Sequence, residues 1–536
     1  MRLAYKRGVK SKTAPTPVAP EPALPPAPDL PPALRRYVYV TAAITGAAVM
    51  IVEILGAKML SPFVGLSHFV WTAQIAVTLV ALACGYYAGG KLADRAQRLP
   101  TLYWALLLAA TYLSLTVLIC EPVAYWCLDF NLAVGSLLAS TILFFVPLAL
   151  LAMTCPFLVR IITSSVTGVG GNVGRLTSIS TVGSFVGTML IGYVAIPLLP
   201  NSFTMFATSG LLFLACAGYF GFFHRKLVAP LLALLVMATA IGRDAYRERT
   251  RDYKYVIELF RGNSHFGQLQ VLDLREGSAR YYLNDNLYQN TYDTDRKQSR
   301  SAFTYLLAGL ARAYTTNIQD VLCIGMGMVI VPMDFAKQGA RVDVVEINPA
   351  VVPVAQRFFG FEPSKVHITI DDGRHYLNRC RKKYDAIILD AFLGDSSPSH
   401  LLTREAFAAM AHVLRPGGTL SINSFGDLEA GRDYFTASLS KTLKSVFAGV
   451  RVHDCGNGGI FFAATDRPNP VFVHEPDLTT VHPDAHKDTA MGYADVVQTA
   501  TNHGRVLTDN YNPVEFYDAR NREEIRRRLA SSARDM

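Results

Sequence analysis

Cysteine is scarce in this chain. Eight are scattered over 536 residues, with no CxxC pair and no histidine at zinc-ligand spacing. They read as small apolar fillers with free thiols, and they suggest no metal site. Core-building residues are missing from residues 1–36, where a basic start (Lys6, Arg7, Lys10, Lys12) leads into a Pro/Ala-rich stretch over 14–33. That segment reads as a disordered cytoplasmic tail. It also lacks the apolar run of a secretory signal directly behind its basic residues, so targeting falls to the first membrane helix. The formal charge is +9, but the basic residues line the tail, the loops between apolar runs and the Arg526-Arg527-Arg528 end. Attraction to anionic membrane lipid accounts for them, and no nucleic-acid partner is expected.

Long hydrophobic runs are what the chain has. Six of them, over 37–60, 69–89, 99–118, 133–153, 176–198 and 203–223, each come near the ~20 residues that cross a bilayer. A seventh, 227–241, is shorter. Lysine and arginine fall in alternate loops: Lys91, Arg95 and Arg98, then Arg160 and Arg175, then Arg225 and Lys226. The positive-inside rule puts these loops and the amino terminus in the cytoplasm. If all seven runs cross, the rest of the chain emerges outside, yet Arg243, Arg247, Arg249, Arg251 and Lys254 favour the inside. The expectation that reconciles them is a re-entrant or interfacial seventh segment, in a multi-pass inner-membrane protein whose later domain is cytoplasmic. Glu53 is the unusual residue in the first run, and Lys58, one and a half turns on, is its candidate partner. Gly183, Gly187 and Gly192 allow close helix contact.

Beyond the runs, the parts of a nucleoside-binding parallel sheet recur in order. A strand-like 321–324 leads into Gly325-Met326-Gly327, whose glycines let the backbone turn tightly before a helix at about Val329. The next strand, 342–345, ends in Glu346, 21 residues after Gly325, the offset at which an acid meets ribose hydroxyls. Strand 366–370 ends in Asp371-Asp372-Gly373, and strand 386–389 ends in Asp390. Acids thus gather at the carboxyl ends of successive strands, where open α/β sheets bind ligands. Arg415-Pro416-Gly417-Gly418 turns into a fifth strand over 419–423, and an antiparallel pair comes after it over 450–454 and 460–464.

With Asp285 to Gln289 upstream, then Ile-Gly-Met-Gly, Val-Val-Glu-Ile-Asn, Asp-Asp-Gly and Ile-Leu-Asp-Ala-Phe, residues 254–465 resemble spermidine synthases. The whole layout, with Pro398 to Thr403, Leu507-Thr508-Asp509 and Pro513-Val514-Glu515, resembles the membrane-integral branch of that family. The fold expected is multi-domain: an α-helical transmembrane bundle followed by a small β-domain and an α/β Rossmann-like domain of the class I methyltransferase/spermidine synthase type. Its boundaries are a tail over 1–36, the bundle over 37–243, the β-domain and linker helix over 250–318, the adenosyl-binding domain over 319–470 and an extension over 471–536. The extension is read as a lid, near 509–515, or a surface strand, and a basic helix. A second copy of the chain is left open as a partner.

The resemblance implies no prosthetic group, an adenosyl sulfonium as substrate and 5′-methylthioadenosine as product. It places Gln289 on the nucleoside or its amino-acid tail, Gly325, Gly327 and Gly373 at the ligand, Glu346 on the ribose, Asp372 on the adenine amine and Asp390 beside the sulfonium, with Asp395 as the second catalytic acid. Departures matter too. Family synthases carry Gly-Gly-Gly-Asp-Gly after the first strand, and its Asp helps hold the amine of decarboxylated S-adenosylmethionine; here Met328 stands there. An Asp ~4 Å from the carboxylate of intact S-adenosylmethionine would repel it by roughly 4 kcal/mol at an effective dielectric near 20. The Tyr-His/Gln-Glu segment expected after Gln289 is replaced by Gln298-Ser299-Arg300, whose guanidinium near the acceptor pocket would disfavour a polyamine. Two readings stand close together: aminopropyl transfer to a polyamine, and a lyase in which the carboxylate of S-adenosylmethionine closes homoserine lactone. N-methyl transfer and a membrane sensor or exporter of an adenosyl metabolite are the further alternatives.

Overall fold

The computed structural model describes residues 30–65, 68–95, 98–163, 169–249, 255–285, 287–392, 398–456, 458–499, 501–517, 521 and 523–524. The tail before residue 30, Arg251, Lys254, Asp395 and Arg526 to Arg528 lie outside them.

Seven helices among the described residues are long and apolar enough to cross a membrane: Pro32–Val64, Phe69–Arg95, Leu99–Cys127, Leu132–Ile162, Val169–Leu198, Asn201–His224 and Val228–Arg249. The seventh is one unbroken helix of 22 residues, which removes the re-entrant reading because a re-entrant segment must turn back on itself. Glycine sets the tightest packing. A Cβ on Gly183 or Gly187 would run into the backbone of Ala43 or Ala47, so the first and fifth helices touch main chain to main chain; Gly192 faces open space. Lys58 does not pair with Glu53. Its ammonium reaches Asp285 of the following domain at 3.1 Å, and Glu53 has no ion-pair partner among the described residues.

A five-stranded antiparallel sheet comes next, in the order β1 (Val256–Ser264), β2 (Gly267–Leu274), β3 (Ala279–Asn284), β4 (Leu287–Asp293) and β5 (Gln298–Ser299). Leu269, Val271 and Tyr282 from one of its faces join the core of the α/β domain, and Arg280 locks the two by donating to Phe358 O at 2.6 Å.

The second sheet has eight strands: β6 (Asp320–Ile324), β7 (Arg341–Glu346), β8 (His367–Ile370), β9 (Tyr384–Leu389), β10 (Leu414–Phe425), β11 (Gly449–Asp454), β12 (Gly459–Thr465) and β13 (Val496–Val497). Their spatial order is β13-β11-β12-β10-β9-β6-β7-β8, parallel from β10 to β8 and antiparallel beyond. The parallel strands read as continuous apolar runs because helices cover both faces. Val321, Cys323 and Ile388 pack against helix Ala302–Tyr314, and Leu322, Ile324 and Leu389 against Arg404–Val413 and Tyr434–Lys444. The chain leaves β6 for β7 and β8 on one side, then crosses to β9 and β10 on the other. The point where the direction switches, between β6 and β9, is where such sheets open a ligand crevice.

Candidate active site

The two ends of the parallel strands treat their acids differently. At the amino ends Asp320 is 2 % exposed and held by Arg341 at 2.7 Å and Arg415 at 2.8 Å, while Lys382 bonds Asp343 at 2.8 Å. Those cations stabilise the Asp320 carboxylate and depress its pKa, outweighing burial. At the carboxyl ends Glu346 and Asp390 have no cationic partner among the described residues. Acids that meet no cation inside the protein are the ones left for a cationic ligand.

They line a cavity of about 310 Å³ at the switch point, together with Gln289, Gly325, Gly327, Met328, Asp371, Asp372 and Gly373. Gly325, at the end of β6, has φ +89°, and a Cβ on it would overlap the carbonyl of Asp390 at the end of β9. Only glycine allows the strand ends to approach this closely. Gly327 at φ +48° has nothing within 4 Å of a built Cβ, so the loop offers bare backbone to the cavity. Val329 comes next at φ 63°, a left-handed conformation costly for a β-branched residue, and helix Ile330–Lys337 starts after it.

Glu346 closes β7. Its Oε2 accepts the N–H of Met326 at 3.0 Å and its Oε1 that of Asn348 at 2.7 Å, so the carboxylate braces the glycine loop and keeps its remaining lone pairs for a ligand. Burial raises its pKa, and the N–H donors of Asn348, Met326 and Ile347 oppose that. Asp372 caps helix Gly373–Arg379, with Oδ1 accepting the N–H groups of Arg374 and His375, while Oδ2 meets His400 Nε2 at 2.9 Å. Burial works to raise this carboxyl, but the His375 N–H, His400 and the Arg374 N–H outweigh it and hold the pKa low. Among the described residues Asp390 has a single side-chain hydrogen bond, from Asn423 Nδ2 to Oδ1 at 2.9 Å. Desolvation pushes its pKa up to about 6, against the lowering effect of Asn423.

All the described residues expected at the site are thus in one cavity; Asp395 lies outside the described residues. Arg300 is not there. It bonds Asp293 at 2.8 Å and Asp484 at 3.2 Å, a neutralised cluster at the base of β4 that includes His482, so it offers no charge to an acceptor. The segment 509–515 does not cross the mouth either. Asp509 meets Arg374 at 3.1 Å and Thr403 Oγ1 at 2.6 Å, and Asn512 donates to Ser399 O, which pins the wall carrying Pro398 and His400. Three contributors were not anticipated: Asn423, placed by the pairing of Ile422 with Leu389, His400, and Asp488 from helix Pro483–Ala494. For Asp488 no signal exists in the sequence, because only the fold brings that helix to the cavity.

Residues 301–454 match the model of the spermine/spermidine synthase domain. The carboxyl-terminal part carries a spermidine synthase-type domain. A polyamine aminopropyltransferase of Vibrio vulnificus is 32% identical over 184 residues, covering 33% of this chain and 60% of the relative. A probable polyamine aminopropyl transferase of Bifidobacterium longum is 28% identical over 213 residues, covering 39% and 44%. An N-terminal histidine N-methyltransferase of Emericella nidulans is 32% identical over 138 residues, covering 25% and 24%. This chain therefore spans less than two thirds of the length of these relatives. Among solved structures, spermidine synthase from Thermotoga maritima aligns with a TM-score of 0.36 at 18% identity, over 44% of this chain and 84% of its own. Most of the lining of the switch-point cavity falls within residues 301–454 and the small sheet ahead of them, and Cys455, Gly456, Gly459, Phe461 and Asp488 come after.

Proposed function

We propose that this protein binds an adenosyl sulfonium in the switch-point cavity and transfers the alkyl arm from sulfur to an amine, with aminopropyl transfer from decarboxylated S-adenosylmethionine as the reading its relatives support. The observation that carries it is Asp390: a carboxylate with no cation beside it among the described residues, in the lining of the cavity that also holds Glu346 and Asp372. In the reaction the acceptor nitrogen forms a bond to the carbon attached to sulfur. The carbon–sulfur bond breaks with its electron pair going to sulfur, and a neutral thioether, 5′-methylthioadenosine, leaves. The Asp390 carboxylate orients the amine, takes its proton, and stabilises positive charge at the reacting carbon. In this reading Glu346 holds the ribose and Gln289 contacts the nucleoside or its amino-acid tail.

A second reading rests on Met328, which is buried in the cavity wall just after Gly327. A thioether there does not repel a carboxylate, which suits intact S-adenosylmethionine, whose own carboxylate, held close, would act as the nucleophile. The seven helices are proposed to hold the domain at a membrane. Purified full-length protein incubated with intact or decarboxylated S-adenosylmethionine, with and without putrescine, tests both. Amine-dependent release of methylthioadenosine supports transfer, release without amine supports the lyase, and S-adenosylhomocysteine as the sole product overturns both.

A further inference from the structure

Three parts of the cavity rim are fastened to one end of the helical bundle. The β1–β2 hairpin, which presents Phe266 to the cavity, donates from Asn263 Nδ2 to Leu199 O at 2.9 Å. The β3–β4 turn, flanked by the rim residues Asn284 and Leu287, sends Asp285 to Lys58 at 3.1 Å. On the opposite wall Ser399, between Pro398 and His400, accepts from Asn512, and Phe516 stacks on Phe69 with ring centroids 6.2 Å apart. Leu199 follows the last residue of the fifth helix, Lys58 lies in the last two turns of the first, and Phe69 opens the second, so all three are toward the same end of the bundle. The rim is therefore within a side chain's length of the place where the apolar helices end.

The cavity's chemistry agrees with that position. Phe266, Leu287, Met328, Phe392, Phe425 and Phe461 supply rings and apolar surface to its lining. Phe392 and Phe425 meet edge to face at 5.4 Å, and Phe425 is still 37% exposed. Of the five acids lining the cavity, Glu346 is engaged by two backbone donors, Asp371 by His375 at 2.7 Å, and Asp372 by its helix and His400. Among the described residues Asp390 meets only the neutral amide of Asn423, and Asp488 meets no hydrogen-bond or ion-pair partner. Beside the polar Asn284, Gln289, Asn290 and Asn423, these rings give the apolar body of an amine a surface to lie on, with Asp390 and Asp488 to meet its ammonium.

We propose, on the basis of the transfer reading, that the acceptor is a membrane amphiphile with one primary amine in its headgroup, which enters the cavity from the bilayer surface. The amine loses its proton to Asp390, its nitrogen bonds to the carbon next to sulfur, the carbon–sulfur pair stays with the departing thioether, and the lipid keeps the alkyl arm.

The test uses the full chain reconstituted in vesicles of phosphatidylcholine alone or with phosphatidylethanolamine, supplied with intact or decarboxylated S-adenosylmethionine. The expected result is methylthioadenosine release roughly tenfold faster with the aminolipid, together with lipid whose mass has increased by the transferred arm. Release driven by soluble putrescine in pure phosphatidylcholine vesicles, at a rate equal to or above that with the aminolipid, overturns this proposal and leaves alkyl transfer standing. Release without any amine overturns it in favour of the lyase. No methylthioadenosine in any arm removes the transfer reading itself, and this proposal with it.

Discussion

Asp390 has less support than Glu346 or Asp372, and that sets both its reactivity and its cost. Its folded pKa, near 6, is above the ordinary value of an unfolded aspartate, about 3.9. Across that window the folded protein binds the proton more tightly than the unfolded chain does, so stability falls as pH rises through it. The same carboxylate must be ionised to receive an amine proton. Turnover is therefore expected to rise with pH through about 6 and then level off, and Asn423→Leu, which removes the Asn423 donor to the carboxylate, should move that midpoint upward; a pH–rate profile checks both. Asp390→Asn is expected to lower methylthioadenosine release by roughly 10²- to 10⁴-fold. Thermal unfolding of that variant at neutral pH should occur no lower than in the parent, and calorimetry should find adenosyl binding retained; equal loss of binding and turnover would make Asp390 structural. Glu346→Gln does the converse. It weakens a brace of two backbone donors and the ribose contact, and should raise the dissociation constant roughly tenfold with a smaller change in kcat.

Strand ends and turns determine how much is legible in the sequence. β6, β7, β9 and the end of β10 are readable because buried parallel strands are written as apolar runs, and the acids at their ends break those runs visibly. β4 is not, since Tyr288, Gln289, Asn290 and Thr291 alternate in no apolar pattern, although the motif within it is recognisable. Pairings between distant segments are invisible for a different reason. Arg300 finds Asp484 and Lys58 finds Asp285 across 184 and 227 positions, whereas the sequence suggests a guanidinium near the acceptor pocket that disfavours a polyamine for the first and pairing with Glu53 for the second. Gly325 is legible in type but not in cause: the spacing suggests room for a ligand, and the structure adds that β6 and β9 meet there. Gly325→Ala should therefore cost stability as well as binding, roughly 3 kcal/mol, from a left-handed backbone and the overlap with Asp390 O. Chemical denaturation of the full chain measures it. An unchanged midpoint with lost ligand binding would assign the glycine to the ligand alone.

At the scale of the whole molecule, the bundle has two ends of opposite character. Asp94 and Arg160 pair at 3.4 Å, and Tyr37 packs on Phe223 with ring centroids 5.4 Å apart, so Arg35, Arg36, Lys91, Arg95, Arg98, Arg160, Arg225 and Lys226 gather at one end. The synthase-type domain is fastened to the other, through Lys58, Leu199 and the contact of Leu132 N with Glu523. At that end Arg247 is paired with Glu121, and Glu248 with Arg261. The described residues hold seven such helices, an odd number, so if all seven cross a bilayer the amino terminus and the domain are on its opposite faces. If the basic corners orient the protein, the domain faces away from the cytoplasm, contrary to the orientation that a re-entrant seventh segment would give. Single cysteines placed at Glu276 and at Arg225, in a background whose exposed Cys84 is replaced, decide this with a membrane-impermeant maleimide on intact cells. The expected outcome is labelling at 276 in intact cells and at 225 only after lysis. The reverse pattern would place the cavity in the cytoplasm, and would mean that Arg243, Arg247 and Arg249 override the basic corners in orienting the bundle.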